Sequence, residues 1–284
     1  MFGQSFSPIG QPPPPRSPRT LTHEQADRPI VGYAREFAAA DDTGRHAHLR
    51  AQLLSAVRGV LRVQTDAAGY VVPPGAGLYV PARVAHAVRM DGAVAMRALF
   101  LRADAARAAP PQVAVIALSP LLRALIDAAC AEPPEWDLHG RGVHLAALMQ
   151  DEIARAASLP LGLPAPRDQR LRRVTEALAA RPDDPRDLDA FAAAAGASAR
   201  TLARLFRRET GMSFRDWRRQ LRLTEALVLL HAGTPPARAA AAVGYRGSSA
   251  FGAALRAVFG VAPGQVRSLA VRPPGAIPDA RGAR

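Results

Sequence analysis

The stretch Asp187–Gly211, DLDAFAAAAGASARTLARLFRRETG, decides how this chain is read. Leu188, Phe191, Ala192 and Ala195 fall at i, i+3, i+4 and i+7, which is one face of a short helix. Gly196 can take the left-handed conformation that ends such a helix. Ser198 is then a natural N-cap for a second helix, Ala199–Glu209. On that helix Leu202, Leu205 and Phe206 share one stripe, while Arg200, Arg204, Arg207 and Arg208 cluster on the opposite one. A helix, a short Gly-containing turn and a helix with a basic outer face form a helix-turn-helix unit, here about 187–209.

The arrangement recurs 49 residues later in Ala239–Gly260, AAAAVGYRGSSAFGAALRAVFG. Thr234 is placed to cap the first helix of this unit, with Pro235 at its first position and Gly244 at its end. Phe251 and Leu255 stand where Leu202 and Phe206 stand in the first unit, so the second unit spans about 235–259. Between the units, Ser213–Ala232 reads as some 18 residues of helix, roughly 27 Å long. That length suits two recognition helices set about one DNA turn apart, roughly 34 Å. Leu202, Phe206, Phe251, Phe259 and Trp217 are expected in the core.

Charge follows the same division. The 284-residue chain carries +13, and all 37 basic residues are arginine. Residues 1–166 hold 16 Arg against 14 acids, whereas residues 167–272 hold 19 against 9. Basic charge gathered on one domain is the electrostatic footprint of a polyanion binder. Hydrophobic residues make up 49% of the chain, yet no run approaches the roughly 20 needed to span a bilayer. The Pro- and Ser-rich N-terminus lacks the apolar stretch of a signal peptide. A single cysteine, Cys130, permits no internal disulfide and no Cys-based zinc cage. A cytoplasmic setting is expected.

These helical residues resemble a known family. Residues 168–269 are similar to the DNA-binding domain of the AraC/XylS (arabinose-operon regulator) family, through LARLFRRETGMSF in the first unit and AAAVGY…AF…LRAVFGVAPGQVR in the second. The resemblance implies a transcription regulator that reads two adjacent major-groove segments. By position, its base-reading residues fall on Arg200, Ala203 and Arg204, then on Ser248, Ser249 and Ala253. Thr201, Arg207, Arg208 and Arg256 complete the candidate DNA contacts. The second recognition helix departs from the family pattern, with Gly247 where Ser is usual and Ala253 where a basic residue is usual. Pairing the two repeats shows the same loss, because Arg204 matches Ala253 and Arg200 matches Ser249. The first unit is therefore expected to carry most base readout, and the second to position phosphates.

The N-terminal half reads differently. Residues 1–29, with Pro12–Pro15, look like a disordered leader. From about Ala47 to Leu101, short strands alternate with turn residues: Gln52–Val57, Gly59–Thr65, Tyr70–Val72, Gly77–Val80, His86–Met90 and Ala93–Leu101. An all-β barrel over 30–110 is expected. Ser119–Ala131 and Gly140–Ser158 follow as helices, the second with Val143, Ala146, Ala147 and Ile153 on one side. Leu159–Pro166 reads as a linker, so 111–166 is a helical dimerisation segment plus linker. The fold class is then two domains, an N-terminal all-β barrel with following helices and a C-terminal all-α domain over 167–270, ahead of a flexible tail, 271–284.

His46, His48 and His86 are ordered like the histidines of the cupin barrel, and GRHAHLRAQLLSAVRGVLRV with VVPPGAGLYVPARVAHAV is similar to the cupin-like sensor half of regulators in this family. The cupin metal set adds a Glu at the place that here holds Gln52. Three neutral imidazoles could still hold zinc or iron. A sensor needs no metal, so the expectation is a metal-free effector pocket lined by His46, His48, Gln52 and His86. Arg50 and Arg89 are either partners for an anionic effector or surface charges. No Gly-rich phosphate loop, nucleophile elbow or histidine partner for Cys130 is found, and no catalytic residue is assigned.

The leading reading is a one-component transcription regulator without a cofactor. It implies operator DNA, a small-molecule effector, a second copy of the chain bound through residues 1–158, and RNA polymerase as partners. The alternatives are a cupin-type metal-dependent enzyme with an appended basic domain, and a non-specific architectural DNA binder.

Overall fold

The computed structural model describes residues 18–266. Pro12–Pro15 and the expected tail, 271–284, lie outside the described residues. In chain order come α1 (Pro18–Gln25), β1 (Ile30–Phe37), β2 (Ala51–Thr65), β3 (Ala68–Val72), β4 (Ala76–Val80), β5 (His86–Leu101) and β6 (Ala114–Ala117). Helices α2 (Pro120–Ala131) and α3 (Arg141–Arg155) precede β7 (Gly162–Pro164). The rest is helical: α4 (Gln169–Ala180), α5 (Leu188–Ala194), α6 (Ala199–Thr210), α7 (Phe214–His231), α8 (Pro236–Ala242) and α9 (Ser248–Phe259).

All seven strands join one antiparallel sheet, in which the long strands β2 and β5 run side by side. The short strands expected at 52–57 and 59–65 are one strand, as are those at 86–90 and 93–101. A bulge between Ala56 and Val60 explains the apparent breaks. Gly59 sits there at φ +80, and a Cβ on it would meet the Ala93 carbonyl oxygen at 2.5 Å. Only glycine combines that backbone with that approach, so the strands bend instead of ending. Beyond β5, the first part of β2 pairs with β4 and the last part with β3. The sheet thus divides into two leaves over an inner core that includes Leu54, Leu61, Leu78, Met90 and Phe100.

Alternate residues face outward. Leu53, Tyr79 and Leu99 pack under α2 and α3 against Leu122, Leu125, Ile126, Leu145, Met149 and Ile153. This corrects the expected face of α3. Ala146 and Ile153 are buried, but Val143 and Ala147 point outward, because the wheel alone does not say which stripe the sheet covers. Two further expectations change. The sheet extends past residue 110 through β6, and the supposed linker contains β7, paired with β3 and anchored by buried Leu161 and Leu163. Nor is the leader unstructured to residue 29, since Pro18–Gln25 is helical.

The helical half follows its local signals. Ser198 caps α6 by accepting from the Thr201 N–H, and Ser213 caps α7 from Asp216. Gly211 and Gly260 end α6 and α9 at φ 70 and 71, where a Cβ would be strained. Thr234 does not cap α8. Pro235 holds that position, and no side chain bonds the free N–H groups there. The full 18 residues of α7 form the spine of the domain. Its Trp217 and Leu221 join the core of the first unit with Leu202, Leu205 and Phe206. Its Leu223, Leu227 and Leu230 join Phe251, Leu255 and Phe259, in a cluster continuous with the inner core of the β domain.

Candidate DNA interface and effector site

On α6, Arg200, Arg204, Arg207 and Arg208 are all exposed, opposite the buried stripe. Arg208 pairs with Glu209 at 2.9 Å. Among the described residues Arg200, Arg204 and Arg207 have no acidic partner. They are presented as long cations with nothing to neutralise them, which suits phosphate oxygens or the guanine edge. Thr201 is half-buried and its hydroxyl lies 3.0 Å from that of Ser198, so it is engaged in the cap.

On α9, Ser248, Ser249, Ala253 and Arg256 are exposed. Gly247 caps this helix without a side-chain hydrogen bond. The two recognition helices therefore share a geometry and differ in chemistry, cationic on one and small and polar on the other. Arg246, exposed in the turn that leads into α9, is a cation the family positions did not single out.

Other arginines of this domain serve the fold. Arg222 donates to the carbonyls of Pro182 at 2.7 Å and Asp184 at 3.1 Å, tying α7 to the loop before α5. Arg218 donates to the Arg186 carbonyl at 2.7 Å. Burial lowers the pKa of both, that of Arg222 further for lying beside Arg218. Charge counting alone cannot separate these from DNA contacts.

In the β domain the three histidines do converge. A ring nitrogen of each lies within 4.8 Å of those of the others, and the ring centroids are 4.5 to 5.5 Å apart. His46 and His86 are bridged through their backbones, and His48 stacks edge-on against Phe100 of the inner core. Gln52, cross-strand neighbour of Phe100, is buried on the same face. Its Oε1 and the Nε2 of His86 have no hydrogen-bond partner among the described residues. Burial, with His46 beside it, pushes the His86 pKa down to about 3, so the ring is neutral.

The sequence missed what holds this site from the N-terminal side. The buried carboxylate of Glu24, on α1, bonds Nδ1 of His48. Arg50 does not wait for an anionic effector. It is buried and donates to the carbonyls of Glu24 at 2.8 Å, Arg28 at 2.7 Å and Ala26. Arg89 is half-buried in a backbone bridge with Asp42. Burial pushes the Cys130 thiol up to about 11, which leaves it inert as a nucleophile.

Comparisons with known proteins agree with the two halves. Residues 31–150 match the family model of the AraC-like ligand binding domain, and residues 191–268 match a helix-turn-helix domain model. The HTH-type transcriptional regulator NimR of Escherichia coli is 30% identical over 238 residues, covering 83% of this chain and 87% of that protein. The chain belongs to the AraC family of transcriptional regulators. The HTH-type transcriptional regulator RipA of Corynebacterium glutamicum is 39% identical over 101 residues, 36% of this chain and 30% of that protein. The structure of ToxT from Vibrio cholerae is similar at TM-score 0.35 and 8% identity, covering 83% of this chain and 97% of that one. This AraC-family chain joins a ligand-binding β domain to a DNA-binding helical domain. Among its described residues no helix is long and apolar enough to cross a membrane.

Proposed function

We propose that this AraC-family regulator works in the cytoplasm as a homodimer, reading its operator mainly through α6. Arg200 and Arg204 read base edges, Arg207 and Arg208 hold phosphates, and Thr201 orients the start of the helix. Ser248, Ser249 and Arg256 position α9 against the backbone. The observation that carries this reading is the contrast between three unneutralised arginines on α6 and the Ser- and Ala-lined outer face of α9. A small molecule bound near His46, His48, Gln52 and His86 would act on DNA binding through the core shared by the β domain and α7. RNA polymerase is the natural downstream partner.

Selection from random duplex DNA by the full-length protein tests the proposal. The expected site has one sharply specified segment and a looser one about a helical turn away. Binding without sequence preference, with specific and random duplexes of equal affinity, would support the architectural reading instead. Enzymatic activity has one observation in its favour, the histidine cluster, but no catalytic carboxylate accompanies it at position 52.

A further inference from the structure

Arg222 stands where the two DNA-reading units meet. From the middle of α7 its guanidinium donates to three main-chain carbonyls: Nε to Pro182 at 2.7 Å, Nη2 to Asp184 at 3.1 Å and Nη1 to Gly244 at 3.4 Å. Pro182 and Asp184 lie in the loop that leads from α4 into α5, on the side of the first unit. Gly244 lies in the turn of the second unit, between α8 and α9. The two segments touch there main chain to main chain. A Cβ on Gly244 would come within 2.9 Å of the Asp183 Cα and 2.8 Å of Arg222 Nη2, and Gly244 holds φ +81. Among the described residues no carboxylate pairs with Arg222, and that of Asp184 is taken by Arg186 at 2.7 Å.

Each unit otherwise joins α7 through apolar side chains, Trp217 and Leu221 for the first and Leu223, Leu227 and Leu230 for the second. Apolar contact is non-directional, so it resists separation better than it resists a turn of one unit about the helix. Hydrogen bonds from one planar group are directional, and arginine offers its donors in a fixed fork. We propose that Arg222 is a positioning residue that locks the two units at one relative setting, and so fixes the number of base pairs between the segments read by α6 and α9. The inference rests on the two-segment reading proposed above. One base pair more or less between the segments swings one of them about 35° around the duplex axis. A locked pair of reading helices therefore accepts one spacing, and a loosened pair accepts its neighbours. Half-buried and turned to these carbonyls, Arg222 acts through where the helices stand and not by touching a base.

The test inserts or deletes one base pair between the two segments of the operator selected with the full-length parent protein. Parent binding should fall about tenfold for either change, on the scale of a mismatched base pair. Arg222→Met keeps the stem and removes the fork, and should lose less than about threefold on the same changes. Arg222→Lys should not restore the parent profile, because an ammonium is a point charge without the fork. Gly244→Ala forces the same junction apart from the other side and should flatten the profile likewise. A merely destabilising substitution would lower affinity by the same factor at every spacing. Spin labels at Arg208→Cys and Ala257→Cys, both exposed, in a Cys130→Ala background read the distance between α6 and α9 without DNA. Its distribution should be narrow in the parent and broader with Arg222→Met or Gly244→Ala. Circular dichroism checks folding, and Arg222→Lys and Gly244→Ala keep the proposal falsifiable if Arg222→Met does not fold. A spacing profile and a distance distribution unchanged in the folded variants overturn the proposal, as does a parent protein indifferent to spacing. A parent that selects no operator sequence refutes the reading by α6, and the distance distribution then decides on Arg222 by itself.

Discussion

The guanidinium of Arg62 on β2 is gripped bidentately by the carboxylate of Glu225 on α7, with Nη1–Oε1 at 2.7 Å and Nη2–Oε2 at 2.8 Å. Both side chains are buried, and the partners are 163 residues apart in sequence. Asp91 takes the remaining Nε–H at 2.5 Å. Burial pulls the Arg62 pKa down, but Glu225 and Asp91 outweigh it and hold the guanidinium above its ordinary value. This pair fastens the effector-binding half to the helix shared by both DNA-reading units. Beside it, Gln220 donates to the Pro160 carbonyl and Trp217 Nε1 donates to that of Pro164 at 3.3 Å.

Removing Glu225 takes the bidentate partner from buried Arg62, which keeps its ion pair with Asp91. Glu225→Ala is expected to destabilise the protein by about 3–5 kcal/mol, the usual cost of breaking a buried pair. Replacing both residues with apolar ones, Arg62→Met with Glu225→Leu, should recover most of that loss. A double-mutant cycle by chemical denaturation measures the coupling. A near-zero coupling energy would show that the two halves are held by apolar packing instead.

The two kinds of exposed arginine on α6 are separable. Arg204→Ala should weaken operator binding by about 1–3 kcal/mol and relax specificity at one base pair. Arg207→Ala should weaken binding nearly equally on all sequences and reduce the salt slope by about one. Titration of operator and scrambled duplexes at several salt concentrations checks both. An unchanged specificity ratio in Arg204→Ala would refute base readout by this residue.

What was legible in the sequence was local. Ser198, Gly211 and Gly260 announce their caps because a cap depends on a few neighbouring residues, and the structure has them in those roles. The three histidines could be nominated because their order resembles that of the cupin barrel. Glu24 could not. It falls within residues 1–29, whose composition reads as a disordered leader, and its role exists only once β2 and α1 meet. Arg62 and Glu225 were invisible for the same reason, as each reads locally as an ordinary charged residue. Thr234 shows that local signals also compete: Pro235 and Pro236 restrict the backbone there, so the threonine stays outside the helix.

The outer faces of α2 and α3 give the dimer proposal a specific surface. Their main apolar stripes are consumed by the β domain, yet Leu121, Val143 and Leu148 remain exposed, at 48%, 39% and 47%. Sedimentation of the full-length protein at micromolar concentration should show a dimer, and Leu148→Glu should shift it towards monomer without unfolding. A monomeric parent protein would remove the proposal, and a dimer indifferent to Leu148→Glu would move the interface elsewhere.

The loss of a cation from α9 can be tested by restoring it. Ala253 is exposed on the face opposite buried Phe251 and Leu255, at the repeat position equivalent to Arg204. Ala253→Arg changes helix propensity little, because arginine is nearly as good a helix former as alanine. The fold should therefore be unaffected and the added charge should project outward. The variant is expected to bind DNA more tightly and to lose affinity more steeply with salt, by up to about one phosphate equivalent. If the new guanidinium reaches a guanine, site selection will show a sharpened second segment, worth about 1–3 kcal/mol of discrimination for a bidentate pair. A steeper salt dependence without sharpening would mean that α9 approaches the backbone and not the base edges, which is the positioning role proposed for it. Equal sharpness of both segments with the parent protein would refute the asymmetry between α6 and α9, since Ser248, Ser249 or Arg246 would then be reading bases without the missing arginine.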